Sequence, residues 1–301
     1  MVSVVMITYG HEQFIKQAIE GVLMQQCDFE VELIIANDCS PDNTDRVVSQ
    51  LIENHTNSNR IKYTKHHSNK GMMLNFIWAL QQAKGQYIAL CDGDDYWTDP
   101  LKLKKQVDFL EENSKYNIVW TKFNKIDSNG QIIASDLPKF QPFVAEVTAE
   151  NLLENYRTWT LTAVFRGSVF DAVDFSQFKH LKDNTVYFLA LRNSAVGRVL
   201  DLNTANYRVH EDGVWSMNSD FKNNLMNYYN ISEIRNKIIE NKAIEQNTNQ
   251  TLRLLYHNMI DDKLNSSIPF NFYNQLFYSM LYKLPVKDKL RFLRSYLKKI
   301  F

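Results

Sequence analysis

The stretch Val2-Ser-Val-Val-Met-Ile-Thr-Tyr9, followed after a short polar loop by Phe14-Ile-Lys-Gln-Ala-Ile-Glu-Gly-Val-Leu23, carries two periodicities in succession. The first part is a β-branched run expected to form a buried strand. The second places Phe14, Ile15, Ala18, Ile19, Val22 and Leu23 at helical spacing. The same unit recurs at once. Val31-Glu-Leu-Ile-Ile-Ala36 reads as a strand, Asn37-Asp38-Cys39-Ser40-Pro41 as a loop with Ser40 as N-cap and Pro41 at the first helical position, and Val47, Val48, Leu51 and Ile52 as a helical stripe. Ile61 to Tyr63 predicts a third strand, Met72 to Ala83 a third helix and Tyr87 to Cys91 a fourth strand. Units of about thirty residues indicate right-handed crossovers and a mostly parallel α/β sheet. Ligands of such sheets sit outside the carboxyl ends of the strands, so the loops after strands one, two and four are the ones to inspect.

Further along, residues 101–112 predict a helix, Ile118 to Phe123 a strand and Asn129-Gly130 a hairpin turn, while 131–217 show no dominant period. From about residue 219 glycine disappears and helical periods dominate. The expected organisation is a main domain over 1–218, with halves 1–100 and 101–218, and a helical appendage over 219–301. Within the appendage, Leu290, Leu293, Leu297 and Ile300 share a face among several Lys and Arg, after an aromatic cluster that includes Phe270, Tyr273 and Phe277. Residues 268–301 thus suit peripheral contact with an anionic membrane, and equally a helix packed on its own domain with a solvated basic face.

Composition narrows the function classes. The chain has 301 residues, 45% hydrophobic, with 34 Lys+Arg against 34 Asp+Glu. A zero formal charge argues against a general nucleic-acid binder. Three cysteines, Cys27, Cys39 and Cys91, form no disulfide framework, the N-terminus lacks a signal-peptide pattern and no run of 18 apolar residues occurs, so a cytoplasmic protein is expected, at most at the inner face of a membrane. GxxxxGK[ST] and HExxH are absent.

The main chemical signal is Cys91-Asp92-Gly93-Asp94-Asp95, an acidic turn directly after a buried strand. Hard divalent cations such as Mg2+ or Mn2+ take oxygen ligands and bridge carboxylates to substrate phosphates, so a metal-diphosphate clamp is the functional reading and an acidic turn before Pro100 the bland one. Asp38, beside Ser40 after the second strand, suits either acceptance from a nucleobase N–H or a local Asx turn.

In order along the chain, Val2 to Tyr9, Glu32-Leu-Ile-Ile-Ala-Asn-Asp38-Cys-Ser40 with Asp42-Asn-Thr44, Asn69-Lys-Gly71, and Gly85 to Asp95 with Pro100 resemble the family-2 glycosyltransferases over roughly residues 1–216. The resemblance implies the A-type glycosyltransferase fold, a nucleotide-diphospho-sugar donor with UDP the commonest carrier, a divalent metal (Mn2+ or Mg2+) and inversion at the anomeric carbon. By the same resemblance Tyr9 and Asp38 contact the base, Asp94 the ribose and Asp95 the metal, with Asp92 completing the acidic motif. Asp183 matches the catalytic base, and Tyr207-Arg-Val-His210 to Ser216 matches a segment over the diphosphate, with His210 a metal or phosphate contact. Asp94, Asp95 and His210 are thus the metal candidates. Two departures stand out: Lys182 precedes Asp183 where relatives carry an acidic pair, and no Arg follows the Asn-x-Gly element, leaving Lys70 as a donor-side candidate. The acceptor is expected to be a glycan or lipid-linked glycan of cell-surface polysaccharide or lipopolysaccharide assembly in a bacterium. Trp159 and Trp215 are candidates for sugar stacking or for the core. A non-catalytic nucleotide-sugar-binding module is the alternative, and a sugar nucleotidyltransferase, which would want a basic Gly-rich loop where Thr8-Tyr-Gly-His11 stands, is a more distant one.

Overall fold

The computed structural model describes residues 1–139, 145–153, 159–171, 173–211, 213, 218–238 and 241–264. The expected strand-helix alternation opens the chain: β1 (Val2–Thr8), α1 (Ile15–Leu23), β2 (Val31–Asn37), α2 (Thr44–Asn54), β3 (Ile61–Lys65), α3 (Met72–Gln82) and β4 (Tyr87–Leu90). A short β5 (Tyr96–Trp97), α4 (Lys102–Glu112) and the long β6 (Tyr116–Ile126) follow. Then come β7 (Ile132–Leu137), β8 (Glu146–Val147), β9 (Val164–Arg166), α5 (Asp183–Ala190), β10 (Val196–Arg208), α6 (Asp220–Lys237) and α7 (Lys242–Leu264).

The described strands form one sheet of order β3-β2-β1-β4-β9-β6-β10-β5, with β7 on β6 and β8 on β10. From β3 to β4 it is parallel. Beyond β4 it is mixed, because β9 inserts antiparallel between β4 and β6 while β10 returns parallel to β6. The fully buried pattern of β2 and β4 follows from helices covering both faces of the parallel half. One face packs Val4, Met6, Leu33 and Ile35 against Ile15, Ile19 and Val22 of α1, and the other packs Val5, Ile34, Ile88 and Leu90 against Phe76 and Leu80 of α3.

One boundary differs from the sequence expectation. Helix α2 begins at Thr44 with Asn43 as N-cap, not at Ser40-Pro41. The Ser40 hydroxyl instead accepts from Gly10 N–H (3.0 Å), and its own N–H is taken by Asn37 Oδ1 (2.8 Å). The Asp42 carboxylate accepts from the N–H and hydroxyl of Thr44, an Asx turn that delays the first helical residue.

Helices α6 and α7 add Tyr228, Ile231, Ile234, Tyr256 and Met259 to the same core as Phe165, Val186 and Phe188. No described helix is long and apolar enough to cross a membrane. Trp215 and the amphipathic stretch 268–301 lie outside the described residues.

Candidate active site

The carboxyl ends of β1, β2 and β4 meet the N-terminus of α5 and the end of β10 around a cleft of about 370 Å³. Tyr9, Asp38, Asp92, Asp94, Asp95, Asp183 and His210, widely separated in sequence, all line it. Lys70 does not; its side chain is exposed at the surface.

The loops are tied by side chains accepting from backbone N–H groups. His11 N–H donates to Thr44 Oγ1 (3.0 Å) and Glu12 N–H to Asp42 (2.9 Å), which joins the loops after β1 and β2. Asp38, nearly fully buried, accepts from Lys70 N–H (2.7 Å) and Gly71 N–H (2.9 Å), so it organises the loop before α3. Each of its oxygens keeps a further lone pair, and a nucleobase N–H remains compatible with that role. Tyr9 is 48% exposed at the rim.

The acidic turn packs close against β1. Gly93 N–H donates to the Ile7 carbonyl (3.0 Å), and a Cβ at Gly93 would fall 2.7 Å from Thr8 Oγ1 and 3.0 Å from His11 Nδ1. Only glycine lets Asp92 and Asp94 flank this approach. Arg208 fixes the far side of the turn: its N–H donates to Asp95 Oδ1 (2.8 Å) and its Nε to the Asp94 carbonyl (3.0 Å). The remaining guanidinium nitrogens bond Gln17 Oε1 and the Ser128 carbonyl, and the plane lies over Phe14.

Burial pushes Asp92 up to about 8, with the charges of Asp94 and Asp183 adding to the shift. Asp95 is likewise raised, by burial and by Asp94. Asp94 behaves oppositely: burial opposes its charge, but the bond to His210 and the charge of His11 hold its pKa below the usual carboxylate range. Burial lowers the His11 pKa despite Asp94 nearby. Three carboxylates in one turn are therefore not all ionised without a cation to offset them.

Asp94 Oδ2 lies 3.2 Å from His210 Nε2 and 3.8 Å from His11 Nε2. Among the described residues these three form a group of ligand atoms, all within 4.8 Å of one another, that could hold a metal ion. Asp95, expected as a ligand, lies outside this group with one oxygen on the Arg208 backbone. His11 was not singled out by sequence reasoning, since a lone His in a loop carries no signal of its long-range neighbours. Arg208, noted only within its segment, gave no sign that its guanidinium fixes the acidic turn.

Asp183 opens α5 as its first residue and is exposed, with Thr160 Oγ1 at 3.4 Å from its Oδ2. Lys182 is buried beside it; its ammonium donates to Asn227 Oδ1 of α6 (2.8 Å), and burial lowers its pKa. Trp159 packs on Phe123 at 4.9 Å between ring centroids while also lining the cleft.

A family model described as glycosyl transferase family 2 matches residues 3–186, which spans every strand and loop just described up to the start of α5. The chain belongs to glycosyl transferase family 2. A curated relative, the uncharacterized protein Rv1520 of Mycobacterium tuberculosis, is 31% identical over 220 residues, covering 71% of this chain; the chain spans 60% of that relative's length. Among solved structures, S. aureus TarS residues 1–349 in complex with UDP-GlcNAc superposes with a TM-score of 0.62 at 22% identity, covering 86% of this chain and 72% of that one. Mannosyltransferase PcManGT from Pyrobaculum calidifontis, in complex with GDP-Man and Mn2+, gives 0.59 at 13% identity, covering 99% of this chain and 85% of the other. These likenesses confirm the A-type glycosyltransferase fold for this family-2 chain.

Proposed function

We propose that this cleft transfers a sugar from a nucleotide-diphospho-sugar, UDP-linked by preference, to a hydroxyl of a glycan or lipid-linked glycan, with inversion at the anomeric carbon. The observation that supports it best is that the Asp94–His210 pair and the exposed Asp183, first residue of α5, line one cleft. The solved neighbours bound to UDP-GlcNAc and to GDP-Man with Mn2+ support a nucleotide-sugar donor.

Tyr9 and Asp38 would receive the base, and the loop that Asp38 holds would flank the ribose and phosphates. The donor set of a carboxylate and imidazoles, with a glycine where a Cβ would intrude, fits a divalent cation. Mn2+ or Mg2+ held by Asp94 and His210, with Asp95 behind them, would supply Lewis-acid stabilisation of the departing diphosphate. Asp183 would accept the proton of the attacking hydroxyl from the opposite side. Such displacement passes through an oxocarbenium-like transition state, and the base must reach within about 2.6–3.2 Å of the hydroxyl. Its exposure leaves that approach open. Asp92 would remain protonated or share the cation's field, limiting repulsion between turn and diphosphate.

Supporting a cell-surface polysaccharide role is the similarity, 26% identity over 216 residues, to the putative teichuronic acid biosynthesis glycosyltransferase TuaG of Bacillus subtilis; the acceptor itself is expected to reach the cleft past Trp159, with residues 268–301 meeting a membrane or a partner. The test is calorimetry with UDP and GDP, with and without Mn2+, followed by turnover of UDP-sugars. Wild type is expected to bind a nucleotide diphosphate only with metal, Asp94→Ala to lose that binding, and Asp183→Asn to keep it while turnover drops about 10²–10⁴-fold. Binding without turnover of any donor would favour the non-catalytic module. No nucleotide binding by folded protein would remove the reading.

A further inference from the structure

We propose that His11 completes a metal site of two imidazoles and one carboxylate with His210 and Asp94, and that this site favours a first-row transition ion such as Mn2+ or Co2+ over Mg2+. The proposal rests on the metal-dependent reading of the same cleft and adds to it a residue and a metal class.

The geometry comes first. Two ligands held at about 2.1 Å from one ion lie about 3.0 Å apart at right angles and about 4.2 Å apart when opposed. The Asp94 oxygen is 3.2 Å from one Nε2 and 3.8 Å from the other, both within that interval, and the full set spans no more than 4.8 Å. Both histidines present the same nitrogen to the same carboxylate oxygen. The two rings stand nearly perpendicular, at 85° with centroids 6.1 Å apart, so they approach a common point from different directions without stacking.

The surroundings fix the rings in that pose. His11 Nδ1 lies 3.2 Å from Thr8 Oγ1, a partner for the ring nitrogen away from Asp94, which leaves Nε2 free to carry its lone pair toward the group. The His210 ring packs against Phe14 at 4.9 Å. Gly93 is the second, independent observation: a side chain there would strike His11 Nδ1 and Thr8, so the acidic turn is built to let His11 stand beside Asp94. Asp94 keeps 22% of its side chain exposed against 16% for His11 and 5% for His210, which gives an ion an entrance on the carboxylate side. Imidazole favours the later first-row divalent ions, whereas Mg2+ prefers oxygen and water; replacing an oxygen ligand by a second imidazole shifts the preference along that series.

The test uses the intact chain and Mn2+ alone as probe. Pulsed electron paramagnetic resonance on the Mn2+-loaded wild type counts coordinated imidazole nitrogens directly: two are expected, and one overturns the proposal even if no variant folds. Isothermal titration with Mn2+ and Mg2+ is then run on wild type, His11→Ala and His11→Gln. Both variants are expected to lose about 10–100-fold in Mn2+ affinity, with one nitrogen remaining, while the ratio of Mn2+ to Mg2+ affinity narrows. Unchanged Mn2+ affinity in folded His11→Ala would refute a ligand role for His11. If Asp94→Ala abolishes Mn2+ binding in that case, the metal-dependent reading of the cleft survives. Failure of wild type to bind Mn2+ at all, with or without UDP, would end both.

Discussion

Arg208 and Lys102 are both buried cations, but their surroundings treat them differently. The Arg208 guanidinium meets carbonyls, Gln17 and two aromatic rings, and its backbone N–H holds Asp95, so the charge is solvated by the protein itself. A lysine cannot reproduce the planar fork. Arg208→Lys is expected to loosen the acidic turn and weaken Mn2+-dependent UDP binding by about tenfold or more, an effect of about 1.4 kcal/mol or more, measured by calorimetry; unaltered affinity would show that the turn holds itself. Among the described residues the Lys102 ammonium bonds Gln106 Oε1 at 2.6 Å and lies 4.1 Å from the Trp97 ring, and burial, only partly offset by Cys91 and Asp99, lowers its pKa from 10.5 to about 7. The sign follows. Between about 7 and 10.5 the unfolded chain holds a proton that the folded chain does not, so stability rises with pH across that window, by about 1.4 kcal/mol per unit at most, and the full penalty applies below pH 7. Urea denaturation of wild type is therefore expected to gain stability from pH 7 to 9, and Lys102→Met to gain clearly less. Equal slopes in the two proteins would mean that the ammonium stays charged in the core.

At the scale of elements, α6 grips the segment that carries Asp183. Within about two turns Asn227 accepts from the Lys182 ammonium, Asn230 Nδ2 donates to the His180 carbonyl (2.8 Å) and Thr185 Oγ1 (2.7 Å), and Glu233 accepts from Lys179 N–H (2.9 Å) and His180 N–H (2.8 Å). A carboxylate that accepts from two backbone N–H groups just before a helix anchors the segment leading into it. Glu233→Gln leaves one oxygen for both donors, at a local cost of about 1–3 kcal/mol. The expected result is a lower kcat with metal-dependent UDP affinity unchanged; a parallel loss of both would point to general unfolding instead. The interval that carries this grip was opaque in the sequence. Nothing in Lys179-His180-Leu181 announces that its backbone donors are satisfied by Glu233 over fifty positions later. The lysine that replaces an acidic partner before Asp183 looked like a lost charge, whereas its ammonium turns inward to Asn227.

At the scale of the molecule, legibility follows contact range. The parallel half was readable because each strand and helix writes its own period, and only Ser40-Pro41 misled, since the Ser40 hydroxyl serves the β1 loop rather than a helix end. In the mixed half α4, β6 and the Asn129-Gly130 turn were readable, but the stretch from 131 to 217 was not. Strand β10 shifts register against β6 at three places, which breaks any alternation, and β9 has only three residues between β4 and β6. The same rule divides the site: the acidic turn is contiguous and visible, while His11, His210 and Asp94 meet only through the fold. Range also bears on the expected boundary between 218 and 219. Ile231, Ile234, Tyr256 and Met259 are each 2% exposed or less, in one core with Val186 and Phe188. Each large apolar side chain withdrawn from water contributes about 1.5–3 kcal/mol, so removing these four strips a sum comparable to a typical net stability of about 5–15 kcal/mol. A chain ending at residue 218 is therefore expected to lose cooperative thermal unfolding and to bind a hydrophobic dye, whereas one ending at 264 keeps a sharp transition. A sharp transition in the shorter chain would instead make residues 219–264 an appendage that the catalytic half can do without.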